Sequence, residues 1–237
     1  MIIEVASTYK QLKPGQLAGE TVVMIDALRA SATIITAVAN GCDRIIPVEN
    51  TERAMEVYKQ QIGEIILGGE SEAQKIQGFH FGNSPLEYTE EVVKDKTLVY
   101  CTTNGTRAIN ATMGAENAFI GTLINARAVA RRISEYEKVW IVCAGSKGRL
   151  SIEDFFAAGA IINCLAELNK KIEFFDEGQL ALINYRNYKD NPSQLLTGSR
   201  HYERLLELGF EEDIDYCLKE SFIDIVPVYH EGIITKE

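Results

Sequence analysis

The sequence predicts a three-layer α/β/α fold with a largely parallel central sheet, and three features carry that expectation. From residue 21 onward, short apolar runs alternate with helix-like segments. The runs are apolar throughout, as strands are when helices cover both faces of a sheet. No Pro/Gly/Ser linker, low-complexity tract or repeat of solenoid period breaks the alternation, so the 237 residues read as a single α/β domain spanning 1–237.

TVVMIDA (21–27) is the first buried strand, and the segment after Arg29, rich in Ala, Ile and Thr, continues as a helix to Ala39. Asn40-Gly41 closes that helix, because glycine tolerates the left-handed cap conformation. RIIPV (44–48) is the second strand, followed by TERAMEVYKQQI (51–62), a helix behind a Thr cap with acidic residues in its first turn. EIILGGE (64–70) runs into a glycine turn, KTLVYCT (96–102) is a fourth strand, AFIG (118–121) a short fifth and KVWIVCAG (138–145) a sixth. Helices at NGTRAINATMG (104–114), NARAVARRISEY (125–136) and SIEDFFAAGAIINCLAELN (151–169) alternate with them. Residues 176–212 read as polar and helical with a break at Asn191-Pro192, and FIDIVPVYHEGIITKE (222–237) as strand-like. The tyrosines of 185–229 have two readings, a homodimer face or core packing.

Composition excludes several classes. A hydrophobic fraction of 46% with 24% charged residues is that of a globular chain, not a disordered one. No run approaches the ~18 apolar residues of a membrane span, and MIIEVASTYKQL lacks the basic start and apolar stretch of a signal peptide. The expectation is a cytoplasmic protein without a membrane partner. The balance of 24 basic and 34 acidic residues gives a net charge of -10, with no Lys/Arg run to displace counterions from nucleic acid. Five cysteines, an odd and widely spaced set without C-x-x-C, argue against disulfides and zinc. Three scattered histidines (His80, His201, His230) match no metal-ligand spacing.

In an open parallel sheet, ligands bind beyond the carboxyl ends of the strands. IDALRAS (25–31) puts Asp26 at a strand end with Arg29 and Ser31 behind it, and LGGES (67–71) puts Glu70 beyond two glycines. CTTNGTR (101–107) gathers hydroxyl and amide groups around Gly105 ahead of Arg107. CAGSKGRLSIED (143–154) supplies Gly145, Ser146, Lys147, Gly148, Arg149 and the pair Glu153-Asp154. Glycine turns that open helices bind anions through backbone N–H groups, and a neighbouring Arg adds a bidentate grip. Carboxylates among such loops call for a cation, and Mg²⁺ suits because it takes oxygen ligands and bridges carboxylates to phosphate. The sum is a magnesium-assisted site for a small phosphorylated anion, with phosphoryl transfer to water as the simplest reaction.

Each piece also has a structural reading. Asp26 can cap the following helix, Glu153-Asp154 can be first-turn charges on the helix dipole, TTNGT can be a turn, and Arg107 and Arg149 can be solvated. Cys143 and Arg149 have the C-x5-R spacing of a cysteine-phosphatase loop, in which the thiolate attacks phosphorus, but Leu150 stands where a hydroxyl is expected. VVMID resembles the nucleophile strand of the haloacid-dehalogenase phosphatases, whose second Asp is here Leu28.

IDALRASATI (25–34), GGE (68–70) with GFHFGNSPLEY (78–88), CTTNGTRA (101–108) and CAGSKGRLSIEDFFAAG (143–159) together resemble the 2-phosphosulfolactate phosphatase family. The chain departs from the family's pattern at Ser71, where a base is usual, and at His80, where an acid is. The resemblance implies an α/β/α fold and Mg²⁺-dependent hydrolysis of (R)-2-phospho-3-sulfolactate to (R)-3-sulfolactate and phosphate, a step of the coenzyme M biosynthesis type. Carried over by position, it implies Asp26, Arg29, Glu70, Asn104 and Asp154 as catalytic residues. Arg29, Ser31, Asn83, Ser84, Thr103, Asn104, Gly105, Thr106, Gly145, Ser146 and Gly148 would bind substrate, and Asp26, Glu70, Glu153 and Asp154 the metal. Arg29, Arg107, Lys147 and Arg149 would answer the three anionic groups of that substrate. The attacking group stays open between water at the metal, Asp26 and Cys143. Two rivals are a phosphatase of another small phosphorylated hydroxy acid and a non-catalytic binder of anionic metabolites.

Overall fold

The computed structural model describes residues 1–60, 63–168 and 171–236. The strands anticipated from the apolar runs form at β2 (Thr21–Ile25), β3 (Arg44–Val48), β4 (Ile65–Ser71), β6 (Thr97–Cys101), β7 (Asn117–Ile120) and β8 (Lys138–Cys143). β1 (Ile2–Ala6), β5 (Gln74–Lys75) and β9 (Glu173–Phe174) were not among those expected, and the strand-like tail is a hairpin of β10 (Pro227–His230) and β11 (Ile233–Lys236). β2 stops at Ile25, short of Ala27, because the next two backbone N–H groups bond to side chains: Asp26 to the Ser31 hydroxyl (2.8 Å) and Ala27 to Asp154 (2.8 Å).

Helices follow the strands as α1 (Ala30–Ala39), α2 (Thr51–Gln60), α3 (Glu90–Val93), α4 (Gly105–Asn110), α5 (Ala126–Ile133) and α6 (Ile152–Glu167). Gln61, Ile62 and Asn169, placed in helices by the sequence, lie outside the described residues. α4 is shorter than 104–114, since the Thr112 hydroxyl turns back onto the Ile109 carbonyl (2.7 Å) and the chain leaves the helix towards Gly114. The polar segment after 175 divides into α7 (Asp176–Tyr188), α8 (Pro192–Leu196), α9 (Arg200–Glu207) and α10 (Glu211–Cys217). Its break falls where Pro192 can start a helix but not continue one.

Among the described residues the strands join in the order β5-β4-β6-β3-β11-β10-β7-β2-β8-β1-β9. The block β7-β2-β8-β1-β9 is parallel throughout, and so is β4-β6-β3. The C-terminal hairpin lies between the blocks, antiparallel to β7 on one side and to β3 on the other. Three successive reversals make the two blocks run in opposite senses along the sheet. The twist that every sheet carries wraps them around α1, which contacts β7, β10, β11 and α4. Accordingly α1 is buried along Ala30–Val38, as its apolar composition on every face requires.

The pleat separates two cores. Val23, Ile25, Phe119 and Ile141 face α5, α6 and α7, while Met24, Ile45, Leu98 and Ile120 face α1, α9 and α10. α2 packs on Val48, Leu67 and Val99. The sheet with helices on both faces is the three-layer α/β/α architecture. Tyr185, Tyr202 and Tyr229 are buried in these cores, so they take the packing alternative of the two read from the sequence.

Ile234 has no exposed surface and sits opposite Ile45 in the middle of the sheet, although it is near the end of the chain. Ile234→Ala should therefore destabilise the fold by about 3 kcal/mol, as a large core truncation does. The exposed neighbour Lys236→Ala should stay within about 0.5 kcal/mol. Urea denaturation of both variants checks this, and equal effects would remove the hairpin from the core.

Candidate active site

The site begins at the turn that leaves β2. Ser31 accepts the Asp26 N–H through its hydroxyl and returns its own N–H to the Asp26 carbonyl (2.9 Å), which closes the turn on itself. The Leu28–Arg29 peptide is cis. The Asp26 carboxylate gives α1 only a weak cap, with Oδ1 at 3.4 Å from the Ala30 N–H. Its Oδ2 lies so close to Gly105 that a Cβ there would be 2.9 Å away, and 2.6 Å from the Ala30 side chain. Glycine at 105 is what allows α4 to approach the Asp26 turn.

Glu70 is carried to the same place by β4. Gly69 has φ +143, and a Cβ on it would lie 1.8 Å from the Cys101 carbonyl oxygen, so only glycine lets β4 run this close to β6. Glu70 accepts the Thr103 N–H (2.6 Å), the Thr103 hydroxyl (3.2 Å) and the Ala73 N–H (2.7 Å). Asp154, at the start of α6, turns back from the helix. It accepts the Ala27 N–H at Oδ1 (2.8 Å) and the Gly145 N–H at Oδ2 (2.9 Å), tying two loops together. Glu153 is also buried and meets no hydrogen-bond donor among the described residues.

These carboxylates line one small inner cavity of about 30 Å³, open at its mouth, together with Arg29, Asn83, Asn104, Ser146 and His201. The cavity leads through Glu70, Asn104, Ser146 and His201 into a wider outer cleft of about 1140 Å³, much of it open solvent, which Thr103, Lys147, Arg200 and Arg204 also line. Asp26 faces the inner cavity but is surrounded by protein. Burial pushes its carboxyl up from 3.8 to about 6, with Glu70 and Glu153 adding to the rise and His201 and the Ala30 N–H opposing it. Asp154 is pushed well above the usual carboxylate range by burial, then by Asp26 and Glu153, against the pull of its two backbone donors.

Arg29 holds an unexpected place. It is 2% exposed, pairs with Asp213 of α10, donates to the Ala73 carbonyl (2.9 Å) and lies 4.0 Å from the centre of the Phe210 ring. Ser84 donates to the other Asp213 oxygen (2.6 Å) and does not line the cavity. Asn83 does, with its side-chain oxygen taken by the Tyr100 hydroxyl and its backbone carbonyl by Thr33 (2.9 Å). Ser31, Gly105, Thr106 and Gly148 shape the loops without lining either cavity, and Arg107 and Arg149 are exposed and line neither. At the family departure His80, the ring Nδ1 accepts the Leu67 N–H (2.9 Å).

The cysteine-phosphatase alternative fails on geometry. Cys143 has no exposed surface and packs in the core beneath α5 and α6. Burial, then Asp154 and Glu153, push its thiol well up, opposite to what a thiolate nucleophile needs.

Sequence reasoning missed His201, Arg200, Phe210 and Asp213. All four lie in the polar helices α9 and α10 or the turn between them. His201 is fixed by its Nε2, which must donate to the Leu28 carbonyl (2.7 Å). The only local signal for it was a histidine in a chain that has three.

The sequence model of a family described as 2-phosphosulpholactate phosphatase matches residues 6–232. A protein of Clostridium novyi named "Probable 2-phosphosulfolactate phosphatase" is 44% identical over 237 residues, covering 100% of both chains. Proteins of the same name from Clostridium acetobutylicum (42% identical, 99% of this chain and 100% of the relative) and Caldanaerobacter subterraneus (41%, 99% and 98%) are similar over the same span.

The raised Asp26 carboxyl has a consequence for stability. Its folded value near 6 exceeds the unfolded 3.8, so the folded chain binds the proton more tightly between those values. Stability should fall as pH rises from about 4 to about 6, by at most about 3 kcal/mol and less where cavity water screens the charge. Asp26→Asn should flatten that part of the profile. Urea denaturation in the presence of a chelator reads both, and an unchanged slope in the variant would place the titration elsewhere.

Proposed function

The chain belongs to the 2-phosphosulfolactate phosphatase family, and from that premise we propose that it hydrolyses (R)-2-phospho-3-sulfolactate to (R)-3-sulfolactate and phosphate with the help of Mg²⁺. It is an enzyme of the phosphoric monoester hydrolase class. The observation that carries the reading is the meeting of four buried or half-buried carboxylates with amide and imidazole groups in one cavity. A purely binding protein would gain nothing from four carboxylates facing an anion.

The donor set fits a hard divalent cation. Glu153 has no donor and Asp26 only a weak one, so both keep oxygens for a ligand, whereas Asp154 and Glu70 are engaged by backbone N–H groups. Among the described residues no three Asp, Glu, His or Cys side chains form a ready cage. Mg²⁺ binding there would therefore rest on one or two carboxylates, retained waters and the substrate. Bound there, the cation would offset the carboxylate charge and polarise the phosphoryl group.

The protein's own groups then have distinct tasks. Asp26 and Glu153 would hold the cation, and Asp154 would fix the Ala27 and Gly145 amides so that both loops keep their places. Asn83 and Asn104 would donate to phosphoryl oxygens. Glu70 would lock the Thr103 turn against β4. In the reaction, the oxygen of water bonds to phosphorus, the bond from phosphorus to the C2 oxygen breaks, and that oxygen takes a proton. His201, on the cavity wall with its Nε2 held by the Leu28 carbonyl, would relay that proton from the attacking water, whose other proton stays on the released phosphate. We place the reaction among steps of the coenzyme M biosynthesis type and in the cytoplasm, where five free buried cysteines stay reduced.

Phosphate release from 2-phosphosulfolactate should require Mg²⁺ and stop in EDTA. Asp26→Asn should lower kcat by about 10²–10³, the scale of losing a main electrostatic group of a site. Release that survives EDTA would exclude the cation, and near-normal turnover of the variant would exclude Asp26.

A further inference from the structure

The outer cleft has a chemistry that the inner cavity lacks. Its cations are Lys147, Arg200 and Arg204. Arg204 is paired with Glu207 (3.4 Å), and Glu203 of the same helix is occupied by the Gly198 N–H (2.7 Å). Lys147 and Arg200 are exposed and have no hydrogen-bond or ion-pair partner among the described residues. Each is next in sequence to a residue that lines both cavities, Ser146 and His201 respectively. The Lys147 backbone is set by a turn in which Gly145, Lys147 and Gly148 all have positive φ (+70, +52 and +77), closed by paired bonds between Ser146 and Arg149. His201 is held by Leu28, which fixes Arg200 beside it.

We propose that Lys147 and Arg200 form the subsite that selects a substrate carrying a second, strongly acidic anion beside the phosphate. This rests on the phosphatase reading above and assigns the specificity of that same site. The two cations reach the cleft from two separate elements, the loop after β8 and the first turn of α9. An anion with three equivalent oxygens can take the Arg fork and the ammonium together, which a carboxylate does less fully. A sulfonate meets that requirement and stays ionised at every working pH. The inner cavity offers no such grip, because its one arginine is already bound to Asp213 and the Ala73 carbonyl.

The test compares 2-phosphosulfolactate with 2-phospholactate, which lacks the sulfonate, in the parent chain and in K147A/R200A. Both positions are exposed, so the variant should keep the parent's circular dichroism and melting temperature. The ratio of kcat/KM for the two substrates should fall by about tenfold, the scale of losing charge-assisted bonds at a solvated site, and Arg200→Lys alone should restore part of it. Raising salt should narrow the ratio in the parent chain and leave it nearly constant in the variant. A ratio that does not move overturns the subsite. Calorimetric titration with (R)-3-sulfolactate and with lactate separates the two claims. Tighter binding of sulfolactate that K147A/R200A weakens about tenfold, without phosphate release from either ester, would keep the subsite and discard the phosphatase reading. No preference for sulfolactate in the parent chain would discard the subsite whatever the turnover.

Discussion

The guanidinium of Arg29 ties together three stretches of chain that are remote in sequence. It binds Asp213, 184 positions away, and the Ala73 carbonyl, 44 away, under the ring of Phe210. A buried ion pair is not in itself a source of stability, since two charges leave water to form it. Here the cost is offset by further partners: the Ser84 hydroxyl on the second Asp213 oxygen and an aromatic face over the guanidinium. What the arrangement secures is position. It holds α10 against the turn that carries Asp26, and the His201 bond to the Leu28 carbonyl holds α9 to the same turn.

Around that anchor the site concentrates negative charge. Asp26, Glu70, Glu153 and Asp154 face one cavity, and burial, with neighbouring carboxylates adding to it, displaces Asp26 and Asp154 upward. The fold tolerates this by using two of the carboxylates as structural acceptors. Asp154 joins the β2 and β8 loops, and Glu70 joins the β4 and β6 loops. Backbone N–H groups at strand ends, which would otherwise point at an anion, are thereby turned onto protein carboxylates. The two carboxylates left over, Asp26 and Glu153, keep oxygens without strong protein donors.

Much of this was legible in the sequence, and the gaps have physical causes. Runs such as TVVMI, RIIPV and TLVYC are buried on both faces, so their apolar character is continuous and their ends are marked by Gly, Asn or Asp. The convergence of Asp26, Glu70, Asn104 and Glu153 was readable from the junction rule alone. The sheet's middle was not. The β10–β11 hairpin was recognised as strand, but its insertion between β3 and β7 depends on single cross-strand matches, Ile234 to Ile45 and Val228 to Phe119, that no local pattern encodes. The two blocks consequently run in opposite senses, and the expected single edge of strand ends is instead a meeting of two edges around α1. Arg29 was read as a ligand for phosphate because its partner lies in α10. The acidic run Glu211-Glu212-Asp213 looks like any solvated helix start, yet Asp213 is 3% exposed.

The tail was the least legible segment and carries the site's outer wall. α9 is strongly amphipathic, with Tyr202 and Leu205 buried, so its polar face was bound to look like ordinary surface. Of the cations on the junction loops, Arg29 is taken up by Asp213 of α10, whereas Lys147 stays exposed on the loop after β8. Arg200, on a helix that arrives from elsewhere in the chain, lines the outer cleft and not the inner cavity of carboxylates. The connected cavities thus present an acidic floor at one end and unpaired bases at the other. A protein with a net charge of -10 can thus bind a multiply charged anion without a basic surface. The division of labour follows from topology: strand ends provide the acids, and the loop after β8 together with the helical segment folded over them provides the bases.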